Sequence, residues 1–290
     1  MPTYKAQILA ERADIGILTS LLTEMLDPPP AVSSSETKSG WLLDVYFVEP
    51  PDPAGLAAVA DSVPHFDAIR HLRPEMLPDE GWVANVQRGL HPIEAGRFFI
   101  HGSHDRARAK GRPFAIEVDA GQAFGTAHHG TTRGCLVLLD RLAKKQGIRR
   151  TLDLGTGSGV LAIAAAKVLC GDVLATDIDP IAIKVAKENF ARNGVAPEVT
   201  AVTAPGLAHP AIAAKSPFGL IMANILAGPL LKLAPGIARA AAPGGHLILS
   251  GLLDGQAREV RARYLGQGFS LQAWISLEGW TALHVRRLRS

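Results

Sequence analysis

One stretch narrows the possible folds more than any other: Thr151-Leu152-Asp153-Leu154-Gly155-Thr156-Gly157-Ser158-Gly159-Val160-Leu161. An apolar run carrying one acid meets three alternating glycines and continues into Ala162-Ile163-Ala164-Ala165-Ala166-Lys167. The hydrophobic pattern changes across the glycines from that of a buried strand to that of an Ala- and Leu-rich helix. A strand, a tight turn and a helix N-terminus aimed at a ligand are what this pattern predicts.

Glycine spacing limits the ligand. The dinucleotide fingerprint G-x-G-x-x-G would put its third glycine at position 160, which is Val160. Here it falls one residue early, at Gly159, and an acid stands two residues before the first glycine. This pattern resembles the nucleotide loop of methyltransferases that use S-adenosylmethionine.

The rest of the C-terminal part alternates strand and helix. Asp172 to Thr176 is a short apolar run ending at Asp177, 22 residues after Gly155. A carboxylate at such a strand end can accept hydrogen bonds from ribose hydroxyls. Asp179, just before Pro180, is better placed to cap the helix Pro180 to Asn193, whose apolar side reads Ile181, Ile183, Val185 and Phe190. Glu198 to Thr203 and Phe218 to Asn224 are further strands, the second closing on the polar amide of Asn224, at the end where open α/β sheets bind ligands. His246 to Ser250 is another. Phe269 to Ser276 and Trp280 to Arg287 form a late hairpin, which predicts a mostly parallel sheet with an antiparallel edge.

The 290 residues allow two domains with real cores, and 47% hydrophobic against 20% charged is ordinary globular composition. No apolar run approaches the roughly 18 residues that cross a membrane, and no secretory signal is visible, so a cytoplasmic protein is expected. Cys135 and Cys170 form no C-x-x-C pair and read as small buried hydrophobes. No metal is expected; adjacent His128 and His129 point apart and lack a third ligand.

Charge is unevenly distributed. Residues 1–90 carry 6 Lys and Arg against 13 Asp and Glu, the remainder 24 against 14. An acidic module attracts a basic protein and repels nucleic acid. Within it, Tyr4 to Ala10, Val32 to Ser34, Trp41 to Glu49 and Phe66 to Leu72 read as strands. Ala13 to Met25 and Pro53 to Val63 read as helices, giving β-α-β-β-α-β, the ferredoxin-like pattern. Prolines and glycines punctuate the chain from about 75 to 120, and residues 91–120, with Pro92, Gly96 and a basic loop His101 to Arg112, read as a linker. Within it, Phe98 to Ile100 is a short apolar run and Ala115 to Asp119 alternates like a strand.

Ahead of the glycine loop stands Phe124-Gly125-Thr126-Ala127-His128-His129-Gly130-Thr131-Thr132, with Thr131 or Thr132 placed to cap a helix from Cys135 to Lys144. This segment, about 20 residues before Asp153-Leu154-Gly155-Thr156-Gly157-Ser158-Gly159, resembles the PrmA family. Those enzymes methylate protein eleven of the large ribosomal subunit. The resemblance continues through Ala175 to Pro180 and Met222 to Ala227, and takes in the N-terminal layout and a linker containing Trp82. The family usually has Gly where this chain has Ala127.

The resemblance implies a class I methyltransferase: an α/β, Rossmann-like, mostly parallel seven-stranded sheet at 121–290, with a small α+β ferredoxin-like substrate-recognition domain at 1–90. It implies S-adenosylmethionine as cofactor, held by Thr132, Gly155, Gly157, Asp177 and Asn224. It also implies transfer of methyl groups to lysine, or N-terminal, amines of the basic ribosomal protein. No residue is identified as a certain catalytic group, although Asn224 can orient the amine. No direct recognition of nucleic acid or membrane is expected. A lysine methyltransferase acting on another protein, such as the β subunit of electron-transfer flavoprotein, is the alternative, and such relatives lack a long N-terminal domain. The departure from Asn-Pro-Pro-Tyr at Asn224-Ile225-Leu226-Ala227 weakens an adenine or glutamine assignment.

Overall fold

The structure is a computed structural model that describes residues 3–12, 14–26, 30–37, 40–47, 49–62, 64–77, 92–118, 129–144, 147–169, 171–277 and 279–289. It divides into two compact units, Met1–Val86 and Gln87–Ser290.

The first unit runs β1 (Thr3–Ala10), α1 (Ile15–Met25), β2 (Ala31–Thr37), β3 (Gly40–Phe47), α2 (Pro53–Ser62) and β4 (Glu75–Leu77). Its sheet order is β2-β3-β1-β4 with antiparallel neighbours, the ferredoxin-like order. Period-two alternation sends Ala6, Ile8 and Ala10 of β1, and Leu43, Val45 and Phe47 of β3, into one core. Leu18 and Leu22 of α1 and Leu56, Val59 and Ala60 of α2 close that core at helical spacing. One expectation fails. Phe66 to Leu72 is no strand: Pro64–His71 is a 3-10 helix, and the fourth strand lies further on, at Glu75–Leu77. Phe66, Ile69 and Leu72 recur every third residue, the period of a 3-10 turn, and all three pack on the core.

The second unit opens with β5 (Ile93–Ala95), β6 (Phe98–His101), α3 (Arg106–Ala109) and β7 (Ala115–Glu117). Read from sequence as linker, residues 93–118 instead form a three-stranded sheet. Ile93, Ala95, Phe98, Ile100, Ile116 and Val118 share one buried cluster with Leu136 and Leu139 of α4 (His129–Ala143). The glycines and prolines there mark turns between very short strands, which a reading by composition takes for loop.

Next come β8 (Arg150–Leu154), α5 (Val160–Val168), β9 (Asp172–Asp177), α6 (Pro180–Arg192), β10 (Val199–Thr203), α7 (Pro210–Lys215), β11 (Phe218–Asn224), α8 (Ala227–Ala240), β12 (Ala241–Leu253), α9 (Ala257–Leu265), β13 (Phe269–Leu277) and β14 (Trp280–Arg287). They build a seven-stranded sheet of order β10-β9-β8-β11-β12-β14-β13. Pairing is parallel from β10 to β12 and antiparallel at β14 and β13, as the late hairpin predicts. Both faces are covered. Val173 and Ala175 of β9 enter one core cluster with α4, α5 and α6, while Leu174, Leu152 and Leu154 enter the other with α8 and α9. Strand order reverses between β8 and its neighbours β9 and β11, which opens a crevice at the carboxyl ends of these three strands.

Among the described residues, no helix is long and apolar enough to cross a membrane.

Candidate functional site

The glycine turn lies at that crevice. As β8 ends, Gly155 N and Thr156 N both donate to Thr176 O on β9, at 2.8 and 2.9 Å. Gly157 N donates to Asp177 Oδ2 at 2.8 Å, and Asp179 N donates to Asp177 Oδ1 at 3.1 Å. The carboxylate at the end of β9 thus straps the turn in place. Each of its oxygens keeps a further lone pair, and the side chain is only half-buried. Asp179 has the separate task expected of it: its Oδ1 accepts from Ile181 N at 2.8 Å and caps α6.

Two glycines are required by space as well as by backbone. Gly155 has φ +74°, and a Cβ there would come within 2.3 Å of Ile225 Cγ2. Gly159 has φ +87°, and its Cβ would fall 2.5 Å from the buried Phe190 ring. Bare backbone therefore lines the turn, where a ligand can approach closely.

The structure brings Thr132 and Asn224 together across 92 residues. Asn224 Nδ2 lies 3.4 Å from Thr131 Oγ1 and 3.5 Å from Thr132 Oγ1, while its Oδ1 has no partner among the described residues. Helix α4 begins at His129, earlier than expected, so Thr131 and Thr132 sit in its first turn rather than ahead of it. Gly130 does not block this start, since first-turn amides need no intrahelical partner. Phe124, Gly125, Thr126, Ala127, His128 and Trp82 lie outside the described residues.

Of three supporting side chains, sequence reasoning marked Asp153, the acid ahead of the glycines, and missed Asn189 and Asn193. Asp153 is 1% exposed. Its Oδ2 accepts from Thr156 Oγ1 at 2.6 Å, and its Oδ1 is buried without a partner among the described residues. Burial pushes its carboxyl up to about 7. Asn189, buried on the apolar side of α6, donates to Ser158 O at 2.8 Å and so holds the glycine turn from behind. Asn193 bonds both backbone groups of Glu117 at 2.8 Å, which ties β7 to the end of α6. The available signal was a polar side chain on an apolar helix face. Ile181, assigned to that face, is instead 59% exposed near Asp177, as is Ile178 at 72%. Cys135 is buried as expected, and burial pushes its thiol up to about 12, so it is inert. Cys170 lies outside the described residues.

The donor set fits one kind of group. An accessible carboxylate suits a ribose diol, exposed Ile178 and Ile181 suit a flat apolar base, and a side-chain-free turn admits close contact. The unengaged carbonyl of Asn224 and the half-buried Asp177 place negative ends of dipoles and charge where a cation is tolerated. These are the needs of a nucleoside carrying a sulfonium.

Comparison with known proteins agrees. A family profile described as "Ribosomal protein L11 methyltransferase (PrmA)" matches residues 18–288. A ribosomal protein L11 methyltransferase from Rhizobium meliloti is 47% identical over 252 residues, covering 87% of each chain. One from Brucella suis is 53% identical over 212 residues, covering 73% of this chain and 74% of the relative. Among solved structures, a ribosomal protein L11 methylase from Lactobacillus delbrueckii subsp. bulgaricus superposes with a TM-score of 0.62 at 30% identity, over 69% of this chain and 100% of that one.

Proposed function

The chain belongs to the PrmA family of ribosomal protein L11 methyltransferases, and from that premise we propose that it methylates lysine amines of ribosomal protein L11 with S-adenosylmethionine. The observation that carries the site assignment is the placement of Asp177 and Asn224 at the ends of β9 and β11, the two strands that flank β8 and its glycine turn in a class I fold.

When bound, the cofactor supplies a methyl group made electrophilic by its sulfonium. The chain's own residues do the rest. Asp177 accepts from the ribose hydroxyls with the lone pairs left after it has strapped Gly157 and Asp179. Gly155 and Gly157 present backbone without side chains, and Thr132 contributes a hydroxyl from the first turn of α4. A lysine amine is protonated at neutral pH, with a pKa of about 10.4, and is then no nucleophile. Entry into a water-poor site lowers that pKa, and the proton passes to solvent as the amine enters. With its Nδ2 set beside the Thr132 hydroxyl, Asn224 would use its carbonyl to accept from the neutral amine and orient the amine's lone pair. Positioning and electrostatics supply the rate, and no dedicated base is required. The acidic first unit supports recognition of a basic protein, with 13 Asp and Glu against 6 Lys and Arg in residues 1–90.

The test is to incubate the protein with methyl-labelled cofactor and a ribosomal lysate, then map the label by mass spectrometry. Label on L11 lysines is expected. Label on RNA or on another protein overturns the reading.

A further inference from the structure

The far end of the sheet carries an arrangement that methyl transfer does not use. A cleft of about 320 Å³ is lined by Ser270 and Gln272 of β13, Arg286 and Arg287 of β14, and Leu288 and Arg289 beyond it. It is remote from the cofactor crevice. Arg286 pairs with His246, whereas Asn224 pairs with Ser250, four residues further along β12 and so about 13 Å up the strand.

Two of the guanidiniums are fixed by backbone. Arg286 Nε donates to Gly244 O at 3.1 Å, and Arg287 Nη1 donates to Ala241 O. Arg289 joins Arg286 above the same glycine. A Cβ built on Gly244 would lie 3.1 Å from Arg289 Nε and 3.6 Å from Arg286 Nη2, so those two nitrogens are no farther apart than the sum of these distances. Gly244 has φ +73°, and its missing side chain is what lets both cations settle there. Among the described residues, none of the three arginines has a carboxylate partner. Their field reaches inward. Behind them, His246 and His284 contact each other at 2.9 Å, and both are held below the usual histidine range, first by burial and then by neighbouring positive charge that includes Arg286.

Like charges do not converge on one glycine without cost unless something negative spends time between them. From this geometry we propose that the Arg286–Arg287–Arg289 cleft binds a phosphate-type oxyanion. A carboxylate neutralises one guanidinium. A phosphate presents several oxygens and up to two charges, matching planar donors that approach from different directions. The hydroxyl of Ser270 and the amide of Gln272, 3.0 Å apart, add neutral polar groups at the wall. A free phosphate monoester and the phosphodiester backbone of RNA share this chemistry.

Two arms separate them, on the full-length protein. Binding of inorganic phosphate is followed by phosphorus NMR line broadening, and binding of a short fluorescein-labelled uridine RNA by anisotropy at low and at physiological salt. Arg289→Gln, which removes an exposed charge with no partner among the described residues, is compared with Arg286→Gln and with Arg261→Gln, an exposed position on α9. The expected result is that Arg289→Gln and Arg286→Gln weaken phosphate about tenfold or more, the loss of a charged hydrogen bond, while Arg261→Gln leaves it unchanged. If RNA affinity falls in step, the phosphodiester is the ligand; if only phosphate binding falls, it is a free monoester. Equal loss in all three variants would reduce the cleft to diffuse surface charge and overturn the site, as would no phosphate binding by the parent protein. Melting temperatures of the variants identify any misfolded one, and Arg289→Gln, on the chain's exposed end, decides the matter if Arg286→Gln fails to fold.

Discussion

Asp177 and Asp179 are the same residue type two positions apart, yet one straps the glycine turn and the other caps a helix. Their substitutions therefore diverge. Asp177→Ala is expected to weaken S-adenosylmethionine by about 1–3 kcal/mol, the loss of charged hydrogen bonds, as read by calorimetry. Asp179→Ala should cost about 1 kcal/mol of stability in denaturant titration and leave that affinity nearly intact. Unchanged cofactor affinity in Asp177→Ala would move the ribose role elsewhere. Asp153 sets a pH dependence. The unfolded carboxyl titrates near 4 and the folded one near 7, so between those values the unfolded chain sheds a proton that the folded chain keeps. Stability contributed by this group is full below about pH 4 and is lost as pH rises to about 7, with a slope of at most about 1.4 kcal/mol per pH unit. Asp153→Asn should gain on the parent protein progressively from pH 5 to pH 7.5 in chemical denaturation; a gap that does not change with pH would reject the assignment. The placement of Asp177 and Asn224 at strand ends and of Gly155 and Gly157 in a tight turn was legible in the sequence, because apolar runs and glycine spacing announce them. Asp153 was legible as the acid ahead of the glycines but its burial was not, and Asn189 and Asn193 were not legible at all, since each acts through a contact that exists only after folding.

Among the elements, regular alternation was readable and irregular connection was not. Strands β8, β9 and β11 and the late hairpin follow from apolar runs and turn residues. The 3-10 helix at Pro64–His71 and, apart from the alternation at Ala115–Glu117, the small sheet at 93–117 do not, because very short elements carry too few residues to show a period. That small sheet is secured to α6 through Asn193, which makes three hydrogen bonds with Glu117 and Asn189. Asn193→Ala should destabilise the protein by about 2–3 kcal/mol, at roughly 1 kcal/mol per bond, with faster amide exchange in residues 93–118. In the glycine turn the obstacle is steric. Gly155→Ala should lower cofactor affinity at least about tenfold, because its Cβ meets Ile225 and its backbone is left-handed. Adding Ile225→Ala should restore part of the loss, since only the collision is relieved. No recovery would show that backbone strain alone is responsible.

At the scale of the molecule, the two units have separate cores, one enclosing Leu18, Leu43 and Val59, the others built on the seven-stranded sheet. A chain of residues 87–290 is therefore expected to fold and to bind the cofactor, but to lose turnover of L11 with the acidic unit gone, as measured by label transfer to purified L11. Retained turnover would remove substrate recognition from residues 1–86.

The crevice itself has an uneven history within the chain. The ribose side proposed for it joins the turn after β8 to Asp177 at the end of β9, 20 positions on, while the proposed amine side waits for Asn224 to meet Thr132 across 92. Loop closure makes the second pairing the slower and costlier one. During synthesis, a chain lengthened only as far as β10 holds the glycine turn and Asp177 but not the amide that faces the amine. Under the proposed assignment, nucleoside recognition can mature before methyl transfer, and a ligand held on that early half would favour the arrival of β11 by mass action.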